Sequence, residues 1–273
     1  MKILCSTLKT TTKILSLTLI AIVLAGVIFV TNTGSLFLGY AYRLVPIYSV
    51  ETSEKKVALT FDAAWGSDKT LKIVEILKKS GIQGTFFLVG FWIEQNKDKV
   101  KLIHDAGFDI GTHSETHPKM SSLSQAKISE ELEFSISKIK AITGENVKFF
   151  RAPFGDYNDS VINIAGSLGL KTIQWDVDTL DWKGLSANEI LNRVKQYTKN
   201  GSIILCHNNS DNILEALPLM ISYLKNQGYQ MVTMSELVYE KDYIVDNNGL
   251  QKLKKQWGII KWIMVLTKII TMY

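Results

Sequence analysis

The sequence predicts a parallel α/β architecture, either an open sheet or one closed into a barrel, and three observations predict it. Seven short β-branched or aromatic runs alternate with longer stretches of helical periodicity. Gly81, Gly107, Gly144, Gly169, Gly201 and Gly228 fall near helix ends, where a C-cap favours glycine. The polar residues with chemical potential follow the strands, where a parallel barrel builds its site. With 273 residues, 46% of them hydrophobic, the chain is long enough for one large domain with a packed core and is not a disordered chain.

The elements follow in chain order. Residues 1–13 are a basic segment containing Lys2, Lys9 and Lys13. Residues 14–30 carry no charge, and their length sits at the short end for a membrane span. Lysine on the entry side places that side in the cytoplasm and the rest of the chain outside it. The expectation is an uncleaved transmembrane anchor in the cell membrane. The alternative is a secreted chain cleaved after Val23-Leu24-Ala25. Residues 31–54 read as an extracytoplasmic linker.

The predicted strands are 57–61, 85–89, 108–112, 148–151, 172–176, 202–206 and 230–233. The predicted helices include 68–79, 124–142, 159–168, 186–199 and 211–226, several with apolar residues at three- and four-residue spacing. These elements set a catalytic domain at 55–238. Residues 239–273 form a tail. In it Lys254, Lys261 and Lys268 recur every seven residues among Trp, Ile, Met and Leu. This pattern reads as a basic amphipathic helix, on a membrane or on the domain itself. Cys5 and Cys206 are too unalike in context to predict a disulfide, and Cys206 alternates away from His207 into packing.

Asp62 ends the first strand, His113 and His117 follow the third, Arg151 ends the fourth, Asp178 and Asp181 follow the fifth, and His207 ends the sixth. Three of the four histidines therefore collect at one face of a barrel; His104 falls inside a helical stretch and reads as structural. His113 and His117, four residues apart and stopped by Pro118, can meet one cation from a single helical turn, and imidazole suits zinc and similar divalent ions. The plain alternative is two surface histidines.

The segments Thr60-Phe61-Asp62, His113-Ser114-x-x-His117-Pro118, Arg151-Ala152-Pro153-Phe154-Gly155, Asp178-x-x-Asp181-Trp182 and Leu205-Cys206-His207 occur in this order. Together they resemble the five motifs of the polysaccharide deacetylase family, carbohydrate esterase family 4. The run Thr60 to Gly66 is similar to its sporulation-associated branch. The resemblance implies a distorted (β/α) barrel of about seven strands. It implies a metal-dependent hydrolase that removes N-acetyl groups from peptidoglycan N-acetylglucosamine or N-acetylmuramic acid. In the roles it implies, His113 and His117 hold zinc, cobalt or another divalent ion. Asp62 is the general base and Arg151 keeps it ionised. His207 is the general acid, oriented by Asp181. Trp182, Pro153, Phe154 and Leu205 contact the glycan.

One position departs from the family pattern. Most members carry a second, metal-binding aspartate after the first, and here that residue is Ala63. Three outcomes follow: weaker metal binding through the two histidines and water, a substitute carboxylate from Asp68 or Glu115, or a glycan-binding pseudoenzyme. A glycosidase using Asp62 with Asp178 or Asp181 is a third function on the same barrel, and the histidine pair argues against it. The net charge of +5 is gathered at the chain ends, which suits a membrane surface and gives no nucleic-acid stripe. The partners expected are cell-wall glycan and membrane, with the protein a monomer.

Overall fold

In the computed structural model, residues 43–254 are described, together with Thr18 and Ile20, which are helical. Strand β1 is Ser49–Val50, and β2, Lys56–Ala63, is the central strand. Around β2 run β3 (Thr85–Leu88), β4 (Asp109–Thr112), β5 (Phe149–Phe150) and β6 (Lys171–Thr172) on one side, and β8 (Ile203–His207) then β7 (Val177–Asp178) on the other. Strand β9 (Gln230–Val232) pairs with the entry end of β2. Every pairing in this sheet is parallel. Strands β6 and β7 end opposite edges, yet only Ile173–Asp176 separate them. Four residues reach at most about 14 Å, so the sheet curls almost closed. The residual seam is filled by the N-terminal segment, in which Ile47 bridges Ile173 and Ser49 bridges Ser202.

The seven expected strands are present, with one correction. The fifth, expected at 172–176, is two strands, because the chain leaves β6 at Ile173 and crosses the seam before pairing with β8. The helices are α1 (Thr70–Lys79), α2 (Gly90–Gln95), α3 (Lys97–Asp105), α4 (Gln125–Thr143), α5 (Asp159–Ser167), α6 (Ala187–Tyr197), α7 (Ile213–Asn226) and α8 (Met234–Leu237). Four of the helix starts, those of α4, α5, α6 and α8, have side-chain caps. Ser124 and Asn158 accept from the third following amide, and Ser186 forms a capping box with Glu189. Gly144 ends α4 at φ 75°. Outside the expected 55–238 limits, β1 joins a small sheet with β11 (Leu250–Leu253) and β10 (Tyr243–Val245), turning at Asp246, whose carboxylate accepts from the amides of Asn248 and Leu250.

Strand alternation sorts the core into two parts. Leu59, Phe61, Phe86, Leu88, Ile204 and Cys206 face the helices. Ala58, Phe87, Phe149 and Ile203 face the barrel interior with Ile47, Val50 and Met234. Phe61 is buried and stacks on Phe86 at 5.0 Å, so Phe61→Ala costs about 3–5 kcal/mol. Side chains alternate with period two. Continuing the interior parity along β2, β5 and β8 therefore arrives at Asp62, Arg151 and His207. The same alternation that fills the core thus delivers the polar residues to the barrel mouth.

The anchor expected at 14–30 and the amphipathic stretch at 257–270 lie outside the described residues, apart from Thr18 and Ile20. Among the described residues no helix is long and apolar enough to cross a membrane.

Candidate active site

Asp62, at the exit of β2, is 5% exposed, and Arg151, just past β5, is wholly buried. Arg151 Nη1 donates to Asp62 Oδ1 at 2.7 Å and to Thr60 Oγ1 at 2.9 Å, and Nη2 donates to the Gln174 carbonyl at 3.1 Å. Its guanidinium lies 4.1 Å from the centroid of the Phe87 ring, a cation–π contact in a dry setting. Burial alone would push the Asp62 carboxyl up. Arg151, helped by His113 and His207, outweighs it and holds the carboxyl below its ordinary value. Asp62 is therefore an anion at neutral pH.

His207 is the strand neighbour of Asp62 across the β2–β8 pairing. Its Nδ1 donates to Asp181 Oδ1 at 2.7 Å, and its amide donates to Asp181 Oδ2 at 2.8 Å. Burial disfavours the imidazolium, but the bond and charge of Asp181 prevail, and His207 titrates above its ordinary value. Nε2 is left as the working nitrogen. Both Asp181 oxygens are occupied by His207, and Asp178 Oδ1 accepts from the Leu180 amide. This commits Asp181 to the imidazole and weakens the glycosidase reading's pairing of Asp62 with Asp181. Cys206 is buried among helix-facing residues, and burial raises its thiol well above the ordinary value, as expected of a packing residue.

The histidine pair is brought together, but not on a helix. The segment after β4 is a loop in which Ser114 and His117 adopt positive φ, 69° and 60°. It is tied by side chains. Ser114 Oγ accepts from the His117 amide, and the Glu131 carboxylate of α4 accepts from the amides of Glu115 and Thr116 and from the Thr116 hydroxyl. The imidazole rings lie 4.9 Å apart, edge to face. Glu131 escaped the sequence reading because it sits sixteen residues from the loop it holds. Among the described residues, of the five non-glycine residues with positive φ, four lie in loops leaving the strands here: Ser114, His117, Phe154 and Leu180. Such conformations cost of order 1–3 kcal/mol each and collect at functional sites.

Two observations fit a divalent cation at this pair. The Nδ1 of His113 donates to the Arg151 carbonyl at 2.8 Å, which leaves Nε2 as a lone pair 3.5 Å from Asp62 Oδ2. A lone pair beside a carboxylate is stabilised by a positive ion. His117 Nδ1 is buried without a hydrogen-bond partner. Burial first, and His113 second, hold His117 down to about 4. Burial likewise lowers His113 against the pull of Asp62. Both rings are neutral and available at neutral pH. The third side of the pair is bare. Ala63 is buried in the main core. Neither carboxylate considered as a substitute serves: Asp68 is exposed beside Lys69, and Glu115 pairs with Lys138. Among the described residues no three His, Cys, Asp or Glu side chains form a metal cage.

Of the residues expected to touch glycan, Phe154 and Trp182 are 64% and 57% exposed, while Pro153 and Leu205 are buried. Leu205 shares the interior parity of His207. Trp65, which sequence reasoning gave no role, lies edge to face with His117 at 4.8 Å.

A parallel α/β barrel with an ionised carboxylate, an imidazole pair and an aspartate-bound third imidazole at its strand exits defines a hydrolase-type barrel centre. The chain belongs to the polysaccharide deacetylase family. That family model matches residues 49–173. A peptidoglycan-N-acetylglucosamine deacetylase of Bacillus cereus is 33% identical over 71% of this chain and 93% of its own length. YlxY of Bacillus subtilis is 36% identical over 71% of this chain, a stretch covering 61% of YlxY. BA3943 of Bacillus anthracis, described as a CE4 family pseudoenzyme, is 40% identical over 71% of this chain and 68% of its own, with a TM-score of 0.69. A BA3943 mutant is described as having restored enzymatic activity.

Proposed function

We propose that the chain is a divalent-metal-dependent N-deacetylase of peptidoglycan, held at the outer face of the cell membrane by residues 14–30. Its substrates are N-acetylglucosamine or N-acetylmuramic acid residues, and the similarity of residues 60–66 to the sporulation-associated branch supports action on the wall of a sporulating cell. The observation that carries this reading is the wiring of two opposed proton carriers, Asp62 on Arg151 and His207 on Asp181.

His113 and His117 would hold zinc or a similar divalent ion, which would supply Lewis acidity at the acetamide and ease the ionisation of water. Everything else belongs to the chain. Arg151 keeps Asp62 ionised, so its free Oδ2 accepts a proton as water adds to the acetamide carbon. Asp181 fixes His207 with Nδ1 protonated and favours the imidazolium, so Nε2 delivers a proton to the departing sugar nitrogen. The C–N bond breaks, leaving acetate and a free amine. An amide has a poor leaving group, which is why acid and base must both be present.

Ala63 favours a second reading. Beside the histidine pair stands only the Asp62 carboxylate, and among the described residues no second carboxylate completes a metal cage; the similarity to BA3943 supports a glycan-binding protein with little turnover. Acetate release from peptidoglycan and N-acetylglucosamine oligomers by the full chain, loaded with zinc or cobalt, separates the two. The first reading expects equal amounts of acetate and free amine, abolished by chelator. Glycan binding without acetate under either metal establishes the second.

A further inference from the structure

The three most exposed aromatic side chains among the described residues are Phe154, Trp182 and Trp65, the last 56% exposed. They stand in the loops leaving β5, β7 and β2. Leaving three such rings largely in water forgoes the burial that apolar side chains ordinarily gain, and clustered exposed apolar surface marks a binding site.

Trp65 is not a loose loop residue. The next carbonyl, Gly66 O, accepts from Trp92 Nε1 at 2.7 Å and from Asn208 Nδ2 at 2.9 Å. Gly66 has φ 63°, and a Cβ there would lie 3.2 Å from Asn209 Cβ, so the turn admits little else. Asn208 is itself tied to the strand that carries Asp62, through its amide and the Asp62 carbonyl. The turn that carries the indole is thus pinned to the frame of the site, and the ring itself packs against Phe91 and His117. Trp65 and Phe154 both meet the His117 ring edge to face, at 4.8 and 4.5 Å.

We propose that Trp65 is a further wall of the glycan groove, on the His117 side, where its indole stacks on the C–H face of a sugar ring. This rests on the glycan reading above. The stacking involves no metal ligand, so it operates in the metal-free protein. A rigid aromatic anchor on a pinned turn binds at little entropic cost.

The test is titration calorimetry of the full chain in detergent with the N-acetylglucosamine tetramer, with zinc and with chelator. Trp65→Ala is expected to weaken binding about tenfold, ~1.4 kcal/mol, in both conditions. Trp65→Phe is expected to keep most of the affinity, and Leu219→Ala, on the surface of α7, to keep all of it. Unfolding midpoints within a degree or two of wild type would show that the loss is local. Unchanged affinity of Trp65→Ala overturns the proposal and leaves the glycan reading standing. No binding by the wild type in either condition overturns the glycan reading, and this wall with it.

Discussion

The two halves of the centre are built to different standards. In the proton-transfer half, Asp62 has Arg151 at 2.7 Å and His207 has Asp181 at 2.7 Å. In the proposed metal half, His113 is oriented by the Arg151 carbonyl, whereas His117 has a buried nitrogen without a partner, and the position where the family resemblance implies a metal-binding carboxylate is Ala63. A metal-binding imidazole ordinarily has its other nitrogen tied down. The difference teaches that the acid and the base each carry a charged partner within the chain, although Arg151 Nε is itself buried without a hydrogen-bond partner, while a cation at the histidine pair would be held by a minimal set of donors. In this account the metal grip, and not the proton transfers, limits the site.

The largest expected effect lies in the complete half. His207→Ala should lower acetate release by about 10²–10⁴-fold while zinc content, measured by atomic absorption, stays at the wild-type level. Lost zinc would show that the halves are not separable. Next, Arg151→Ala leaves a buried carboxylate unpaired and should cost about 3–5 kcal/mol in urea unfolding. A loss under 1 kcal/mol would mean that the pair is not what keeps Asp62 buried and charged. Ala63→Asp should lower the stability of the metal-free protein by about 1–3 kcal/mol, and saturating zinc should return it. The smallest effect is in pH. Because Asp181 raises His207 in the folded state, its stabilisation is fully present below pH 6.5 and fades as pH rises through the raised folded value. The stability advantage of wild type over His207→Gln should therefore shrink as pH rises from 6.5 through the raised folded value.

Much of this was readable from the sequence because it is local. The strands announce themselves by β-branched and aromatic runs, and parity alone aligns Asp62, Arg151 and His207. Glycines such as Gly144 mark the helix ends. The missing information is long-range. Helices α2 and α3 are short and interrupted at Asn96, so periodicity does not separate them. The split between β6 and β7 depends on barrel closure, which places Asp176 against Ile203. The loop between the histidines looks helical by spacing, yet Glu131 and two positive-φ residues shape it. Likewise nothing near Trp65 reveals that Trp92 and Asn208 clamp the turn behind it. Ala63, by contrast, was visible at once as a departure from a motif, and the structure adds that neither Asp68 nor Glu115 replaces the missing carboxylate.

The most direct test of the under-provisioned metal half is a zinc-binding isotherm of the wild type beside Ala63→Asp. Restoring one carboxylate oxygen should tighten zinc by about tenfold or more, in line with the 10–100-fold that groups around a metal are worth. Equal zinc affinity in the two proteins would contradict the account.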